Sequence, residues 1–449
     1  MLHIYVETYG CQQNEADSER ILGLAREMGY EKTDRKEDAD LIIVNTCAVR
    51  EHAELKALSN TGQLKHIKEK NPDLLIGVCG CMIQQEHRKE DIKNKYPYVD
   101  FVFGTNMTDR FKEIVSEVKK SKRRGFFVES YDKNPGTITE GITPVRCSKT
   151  NAWLSIMYGC NNFCTYCVVP YVRGRERSRK PEFIIEEFDS LVKDGYRDIT
   201  LLGQNVNSYG KDLDEKTSFA DLLKTLASKE GDFVIHFMTS HPKDATKELI
   251  DVIAENPKIE RHFHLPLQSG SDAILKAMNR RYTRDSFFAL TEYMRERIPG
   301  ISVTTDIIVG FPGETDKDFE DTLDMMRRIR FDGVFSFVYS KRKGTVAAEM
   351  EDQVPDDVKK SRMGRLLALQ TEIQTEKNSG FVGKTLRAHV EGESKSDPGM
   401  LSARSTEGKL IHFKRTPEAE KLIGRFADIR ITSAEAIMLF GELINTSNN

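Results

Sequence analysis

No apolar run in this 449-residue chain approaches the roughly eighteen residues that a membrane-spanning helix needs. Residues 1–10 hold no apolar core long enough for a secretion signal, and they already read as a strand. Membrane insertion and export are therefore not expected. Disulfides go with them, since they need an oxidising compartment. Net charge is scarce as well, because 67 basic side chains face 70 acidic ones. The field of the whole molecule cannot then hold a polyanion, and any nucleic-acid partner must meet local patches. What the chain does have is eight cysteines. Without export, they point to a cytoplasmic protein with metal or redox chemistry. Hydrophobic content of 39% and charged content of 31% describe a soluble globular protein, and the length predicts two or three domains.

Three cysteines, Cys160, Cys164 and Cys167, close a CxxxCxxC spacing directly after a strand-like run at 153–157. Three thiolates on so short a loop can converge on one metal centre. A cubane cluster has four irons, so three ligands leave one iron open. Such an opening marks chemistry, as it does in catalytic zinc sites. Structural zinc usually brings two C-x2-C pairs, but Cys164 and Cys167 form one pair and no second short-gap pair exists. With the aromatic Tyr166 just before the last cysteine, the loop resembles the signature of radical S-adenosylmethionine (SAM) enzymes. In those enzymes the open iron binds the amino and carboxylate groups of SAM.

The first segment alternates strand and helix, with strands at 3–6, 41–44, 74–78 and 100–103 and helices at 18–28, 53–70 and 110–119. This order gives an open doubly wound α/β sheet over 1–120. Cys11, Cys47 and Cys81 each lie just past the carboxyl end of a different strand, along the edge where ligands of such sheets collect. Gly80 would let the backbone turn closely into Cys81, so Cys79 reads as a small core residue. Cys147 reads as structural. The basic stretch 119–124 and the turn-rich 132–144 make 121–145 a linker. Over 146–378, six strands at 153–157, 198–202, 234–238, 261–265, 303–309 and 334–339 alternate with helices, as in a partial (β/α)6 barrel. Chemistry in barrels sits at strand carboxyl ends. That gathers the Cys160 loop, Gln204, Gln268, Ser269 and the 310–314 loop round one mouth. A helix at 359–377 leads to 379–446, where short strands at 386–390, 409–413, 427–432 and 436–439 fit a small all-β barrel of the oligonucleotide-binding kind. From Gly380 onward ten basic residues face nine acidic ones, so composition leaves a structural cap open. Four basic clusters offer patches for an anionic partner: 119–124; Arg173, Arg175, Arg177, Arg179 and Lys180; Arg280, Arg281 and Arg284; and 341–343.

With these residues in place, the whole chain resembles the methylthiotransferases, a family of radical SAM enzymes. The motifs are Tyr9-Gly10-Cys11-Gln12-Gln13-Asn14, Asn45-Thr46-Cys47-Ala48-Val49-Arg50, Gly80-Cys81-Met82 and the run from Gly159 to Tyr171 through the three cysteines. They continue with Leu265-Pro266-Leu267-Gln268-Ser269-Gly270-Ser271 and the run from Thr305 to Thr315. The resemblance is strongest to the branch that methylthiolates N(6)-dimethylallyladenosine beside the tRNA anticodon. It implies a radical SAM core followed by an RNA-binding TRAM domain. It implies two 4Fe-4S clusters, an auxiliary one on Cys11, Cys47 and Cys81 and the SAM-binding one on Cys160, Cys164 and Cys167. It further implies two SAM per turnover, one methylating a sulfur and one making the radical, and a low-potential donor of flavodoxin or ferredoxin type. Tyr166, Gln204, Gln268, Ser269 and Asp306 are then the residues that orient SAM. Arg281 could meet SAM carboxylate or RNA phosphate. Cys79 departs from the simple pattern.

Three other readings stay open at this point. The same chemistry could act on N(6)-threonylcarbamoyladenosine in tRNA, or on an aspartate of a small-subunit ribosomal protein. A non-catalytic electron carrier would instead normally complete its clusters with four protein ligands. A monomer is expected, since no long apolar heptads are evident.

Overall fold

The computed structural model describes residues 1–49 and 51–444. Arg50, in one of the motifs above, and 445–449, which include the last two residues of the expected third domain, lie outside the described residues.

Six strands, β1 (Leu2–Thr8), β2 (Tyr30–Lys32), β3 (Leu41–Thr46), β4 (Leu75–Gly80), β5 (Phe101–Phe103) and β6 (Gly125–Phe127), form one sheet in the order β2-β1-β3-β4-β5-β6. All neighbours are parallel. β3 is buried at every position, as a strand covered on both faces must be. Helices Gln12–Glu27 and Phe111–Ser121 cover one face with Ile21, Leu24, Ile114 and Val118. Helices Glu51–Lys70 and Glu86–Lys95 cover the other with Ala57, Leu64 and Ile92. Strand order reverses between β1 and β3, and at such a switch point open sheets bind ligands. β6 falls inside the stretch that the sequence assigns to a linker. Three residues are too short to show periodicity, and their basic neighbour Arg124 is tied to the carbonyls of Lys93, Tyr96 and Val99.

The second unit holds β7 (Asn151–Ser155), the short pair β8 (Met157–Tyr158) and β9 (Arg177–Ser178), then β10 (Asp198–Leu202), β11 (Val234–Phe237), β12 (His262–His264), β13 (Ser302–Val309) and β14 (Gly333–Val338). Sheets β11-β10-β7 and β12-β13-β14 are bridged at Ile235 and Ile259, giving an open six-stranded parallel barrel. Along β13, Val303, Ile307 and Val309 pack outward in the main apolar core, which leaves Thr304, Asp306 and Ile308 for the lumen.

After helix Asp356–Ser379, β15 (Thr385–Glu393), β16 (Met400–Ser405), β17 (Leu410–Lys414), β18 (Phe426–Ala434) and β19 (Leu439–Leu443) close a barrel in the order β15-β16-β17-β19-β18. The last strand lies later than the 436–439 run suggests. β16, with polar residues on both faces, shows no alternation to read. This small barrel seals the floor of the larger one: Lys409 reaches Asp332 at 3.1 Å, and the Arg261 amide donates to the Thr406 carbonyl.

Candidate functional site

Cys11, Cys47 and Cys81 leave three adjacent strands at one edge. Thr8 pairs with Asn45 and Thr46 with Gly80, so the register brings the strand ends level. Gly80 holds φ +93°, where a side chain would run into the Thr46 backbone. Cys79 and Cys81 share parity and would face one way on a regular strand. The left-handed Gly80 re-aims the second: Cys81 meets Ala48, Val168 and Val172, while Cys79 packs in the sheet core with Phe101 and Phe103. Cys11 lies exposed, with its thiol 3.2 Å from the Asn14 amide oxygen. Asn14 in turn donates to Asn45 and to the Thr46 carbonyl, so the motif asparagines brace the edge. The Val49 amide donates to Cys47 Sγ at 3.3 Å. Cys147 is exposed.

The second triad sits on the loop after β8. Gly159 adopts φ +79°, and a Cβ there would collide with the Arg175 carbonyl. The Cys160 amide donates to the Gly174 carbonyl at 3.0 Å. Segment 277–280 clasps the loop: Thr165 donates to the Ala277 and Met278 carbonyls, and the Asn279 amide to those of Asn162 and Phe163. Phe163, Thr239, Gln268 and Asn279 all hold positive φ around this mouth, the kind of strain that gathers at working sites. Arg280 is buried and donates to Cys164 Sγ at 3.3 Å and to the Pro266 carbonyl. Burial pushes the thiols of Cys160, Cys167 and Cys81 up to about 11, 12 and 12. Thiols that resist ionisation alone are ionised by a coordinated cation. Among the described residues no three His, Cys, Asp or Glu side chains are grouped to hold a metal ion. A cluster holds its thiolates on separate irons and so spaces them more widely than one ion would.

The residues expected around SAM divide in two. Gln204 accepts from the Gly159 amide at 2.5 Å and approaches Gln13 of the first domain, so it holds the loop. Ser269 is buried and caps the Ser271 amide at 3.2 Å. Tyr166 packs against Ile274, Met278 and Phe311. The Gln268 backbone bonds to Asp306 and Ile308 as an added strand position. Asp306 faces the lumen, 3.5 Å from His264. Behind it runs a chain that single residues do not announce: His264, Thr304, His262, Glu260, His236 and Asp198, at successive separations of 3.0, 2.7, 3.3, 2.9 and 3.6 Å. Its one local signal is the spacing of His262 and His264 on the same face of β12.

The arginines of the basic clusters are largely taken up by internal contacts, while Lys119, Lys120, Lys122, Arg123, Arg281, Lys341 and Lys343 stay exposed. Arg179 is buried against Glu140 and Glu187, Arg177 bonds to the Pro135 and Gly136 carbonyls, and Arg175 stacks on Phe163. Arg284 pairs with Asp321 and Asp324, and Arg342 reaches from the second domain to the Val49 carbonyl of the first. Arg173 turns inward to Cys81 and Asp17. Charges crowded in sequence look like one surface, but contacts with distant carboxylates, carbonyls and a ring withdraw about half of them.

Comparison with known proteins follows this division of the chain. Residues 154–326 match the Radical SAM superfamily, 3–104 the Uncharacterized protein family UPF0004, and 380–444 the TRAM domain. The chain is 49% identical, over 99% of its length and 93% of the relative, to a tRNA-2-methylthio-N(6)-dimethylallyladenosine synthase of Thermoanaerobacter pseudethanolicus. It is 50% identical, over 98% and 92%, to one of Alkaliphilus oremlandii. Among solved structures, the radical S-adenosylmethionine methyltransferase TsrM of Kitasatospora setae superposes with a TM-score of 0.59 at 14% identity, covering 77% of this chain and 75% of that one. At that identity the likeness concerns the fold alone. Among the described residues no helix is long and apolar enough to cross a membrane.

Proposed function

The chain belongs to the tRNA-2-methylthio-N(6)-dimethylallyladenosine synthase family of radical SAM enzymes, and on that premise we propose that each of its two cysteine triads holds a 4Fe-4S cluster. The protein is a radical SAM methylthiotransferase that converts N(6)-dimethylallyladenosine beside the tRNA anticodon to its 2-methylthio derivative. Its family carries a 4Fe-4S cluster and uses SAM. The threonylcarbamoyl and ribosomal-protein readings are not favoured, because the relatives matched over the whole chain are named for the dimethylallyl nucleoside.

Cys160, Cys164 and Cys167 would hold the SAM-binding cluster, and Cys11, Cys47 and Cys81 the auxiliary one. The donor set suits such clusters: three thiols each, on loops with no room for a Cβ at Gly159 or Gly80. When bound, the SAM-binding cluster supplies the electron that splits SAM, which gives access to an adenine C2–H bond that no side-chain base could ionise. Arg280 balances the charge on Cys164, while Gln204 and Asn279 fix the loop. Asp306 and Gln268 orient SAM from the lumen, and Tyr166 and Ser269 shape the wall behind it. The cluster that Cys11, Cys47 and Cys81 would hold would supply the sulfur, with two SAM consumed per turnover. The TRAM domain grips the RNA, a low-potential donor of flavodoxin or ferredoxin type feeds the clusters, and the enzyme works as a cytoplasmic monomer.

The observation that carries this reading is the packing of Val168 and Val172, just past Cys167, directly on Cys81. The loops of the two thiol triads thus lie against each other. The test incubates anaerobically reconstituted enzyme with SAM, reductant and tRNA bearing either modified adenosine, followed by nucleoside mass spectrometry. The 2-methylthio product is expected only from the dimethylallyl nucleoside. Product from threonylcarbamoyl tRNA alone would reassign the substrate.

A further inference from the structure

Arg173 ends the short helix Val169–Arg173 that follows the SAM-cluster loop, yet its side chain leaves that domain. Its Nη2 donates to Asp17 at 2.7 Å, and its Nε donates to Cys81 Sγ at 3.1 Å. Only 5% of the residue is exposed. A buried guanidinium must find partners for its charge. Asp17 supplies one, but a neutral thiol is a poor acceptor for the other N–H. A metal-bound thiolate is a good one, because bonds between ionised partners are stronger. The pairing therefore makes physical sense when Cys81 is ionised.

Resting on the two-cluster reading above, we infer that Arg173 is the residue that sets the reduction potential of the N-terminal cluster, by donating an N–H and a buried positive charge to the sulfur of Cys81. One-electron reduction adds a negative charge to a cluster. A donor and a cation at a ligand sulfur favour that reduced form and raise the potential. Asp17 moderates the effect, since its carboxylate lies on the other side of the same guanidinium. Arg173 also ties this cluster mechanically to the other one. The segment that carries it starts at Cys167, and the Thr105 hydroxyl of the first domain holds its Val172 carbonyl at 2.7 Å. Arg280 makes a matching contact to Cys164 in the second triad, so among the described residues a buried arginine meets a sulfur in each triad. The two are independent, which gives the test an internal reference.

The test is a dithionite titration of the full-length reconstituted enzyme, followed by electron paramagnetic resonance. The signal that shifts on adding SAM belongs to the SAM-binding cluster, and the other reports the N-terminal one. In Arg173→Gln, with iron content retained, the N-terminal cluster is expected to become harder to reduce while the SAM-binding cluster keeps its potential. In Asp17→Asn the guanidinium loses its counter-charge, and the N-terminal cluster is expected to become easier to reduce. Arg173→Lys, which keeps the charge, should restore part of the loss. A purely structural role cannot move the potential in opposite directions in two variants. An unchanged potential in Arg173→Gln overturns the inference. Should that variant fail to retain iron, an unchanged or lowered potential in Asp17→Asn overturns it instead. A wild-type enzyme that shows one cluster only would sink the two-cluster reading, a different failure from either of these.

Discussion

At the scale of single residues, the proposed function would divide the labour between the two triads. Replacing Cys164 with alanine is expected to abolish SAM cleavage, measured as deoxyadenosine formed without RNA. Replacing Cys47 should leave that cleavage intact and stop sulfur insertion into tRNA. Equal loss of both activities in the Cys47 variant would contradict the division. The cysteines were legible in the sequence because one triad is packed into a short spacing and the other follows three strands that a parallel sheet must align. Arg173 and Arg280 were not. Their partners Cys81 and Cys164 lie 92 and 116 residues away along the chain, and only folding brings them near. In sequence both arginines sit among other basic residues and pass for surface. Gln204 and Ser269 show that polar residues at a barrel mouth can serve its backbone as well as a ligand.

At the scale of elements, β11 and the segment leading into β12 are joined through the lumen by His236 and Glu260. Burial disfavours the charged ring of His236, but Asp198 and Glu260 outweigh it and raise its pKa from 6.5 to about 9, with Arg404 opposing. Burial likewise works against the Glu260 carboxylate, yet His236 holds it down at about 2. A raised histidine stabilises the fold fully below its unfolded value of 6.5, and that contribution fades as pH rises through 9. A lowered carboxylate contributes fully above 4.5 and fades as pH falls through 2. The two shifts describe one interaction and are not added. On raising the pH from 6.5 to 9, the wild-type protein is expected to lose stability, on the order of 3 kcal/mol at most, that His236→Gln does not lose. Denaturant unfolding of both proteins at the two pH values checks this, and parallel losses would contradict it. Most elements followed from periodicity. The exceptions, the short β2, β6, β8 and β9 together with β16, form because neighbouring strands offer an edge, and none has a readable pattern of its own.

At the scale of the whole molecule, the segment between the first two domains acts as a clamp. Arg146 bonds to Glu19 of the first domain at 2.9 Å and to Glu187 of the second at 2.6 Å, while Arg179 bonds to Glu187 and to Glu140 of the connecting segment. Replacing Glu19 and Glu187 together with glutamine strips Arg146 of both carboxylates. A buried cation left unpaired costs about 3–5 kcal/mol. Denaturant unfolding should show a loss of that order, and a loss below about 1 kcal/mol would mean that the clamp is ornamental. The C-terminal barrel is equally built in. Deleting it would uncover Asp332, so its proposed role in gripping RNA is better tested by surface substitutions and the salt dependence of tRNA affinity.

The central claim is that two clusters sit on two separate triads. Iron and sulfide content after anaerobic reconstitution tests it most directly, in the intact protein and in the variant with Cys160, Cys164 and Cys167 all replaced by alanine. About eight irons per chain falling to about four is the expected result, one four-iron cluster being lost and one kept. About four falling to none would contradict the account, leaving Cys11, Cys47 and Cys81 as ordinary thiols and the sulfur without a source in this chain.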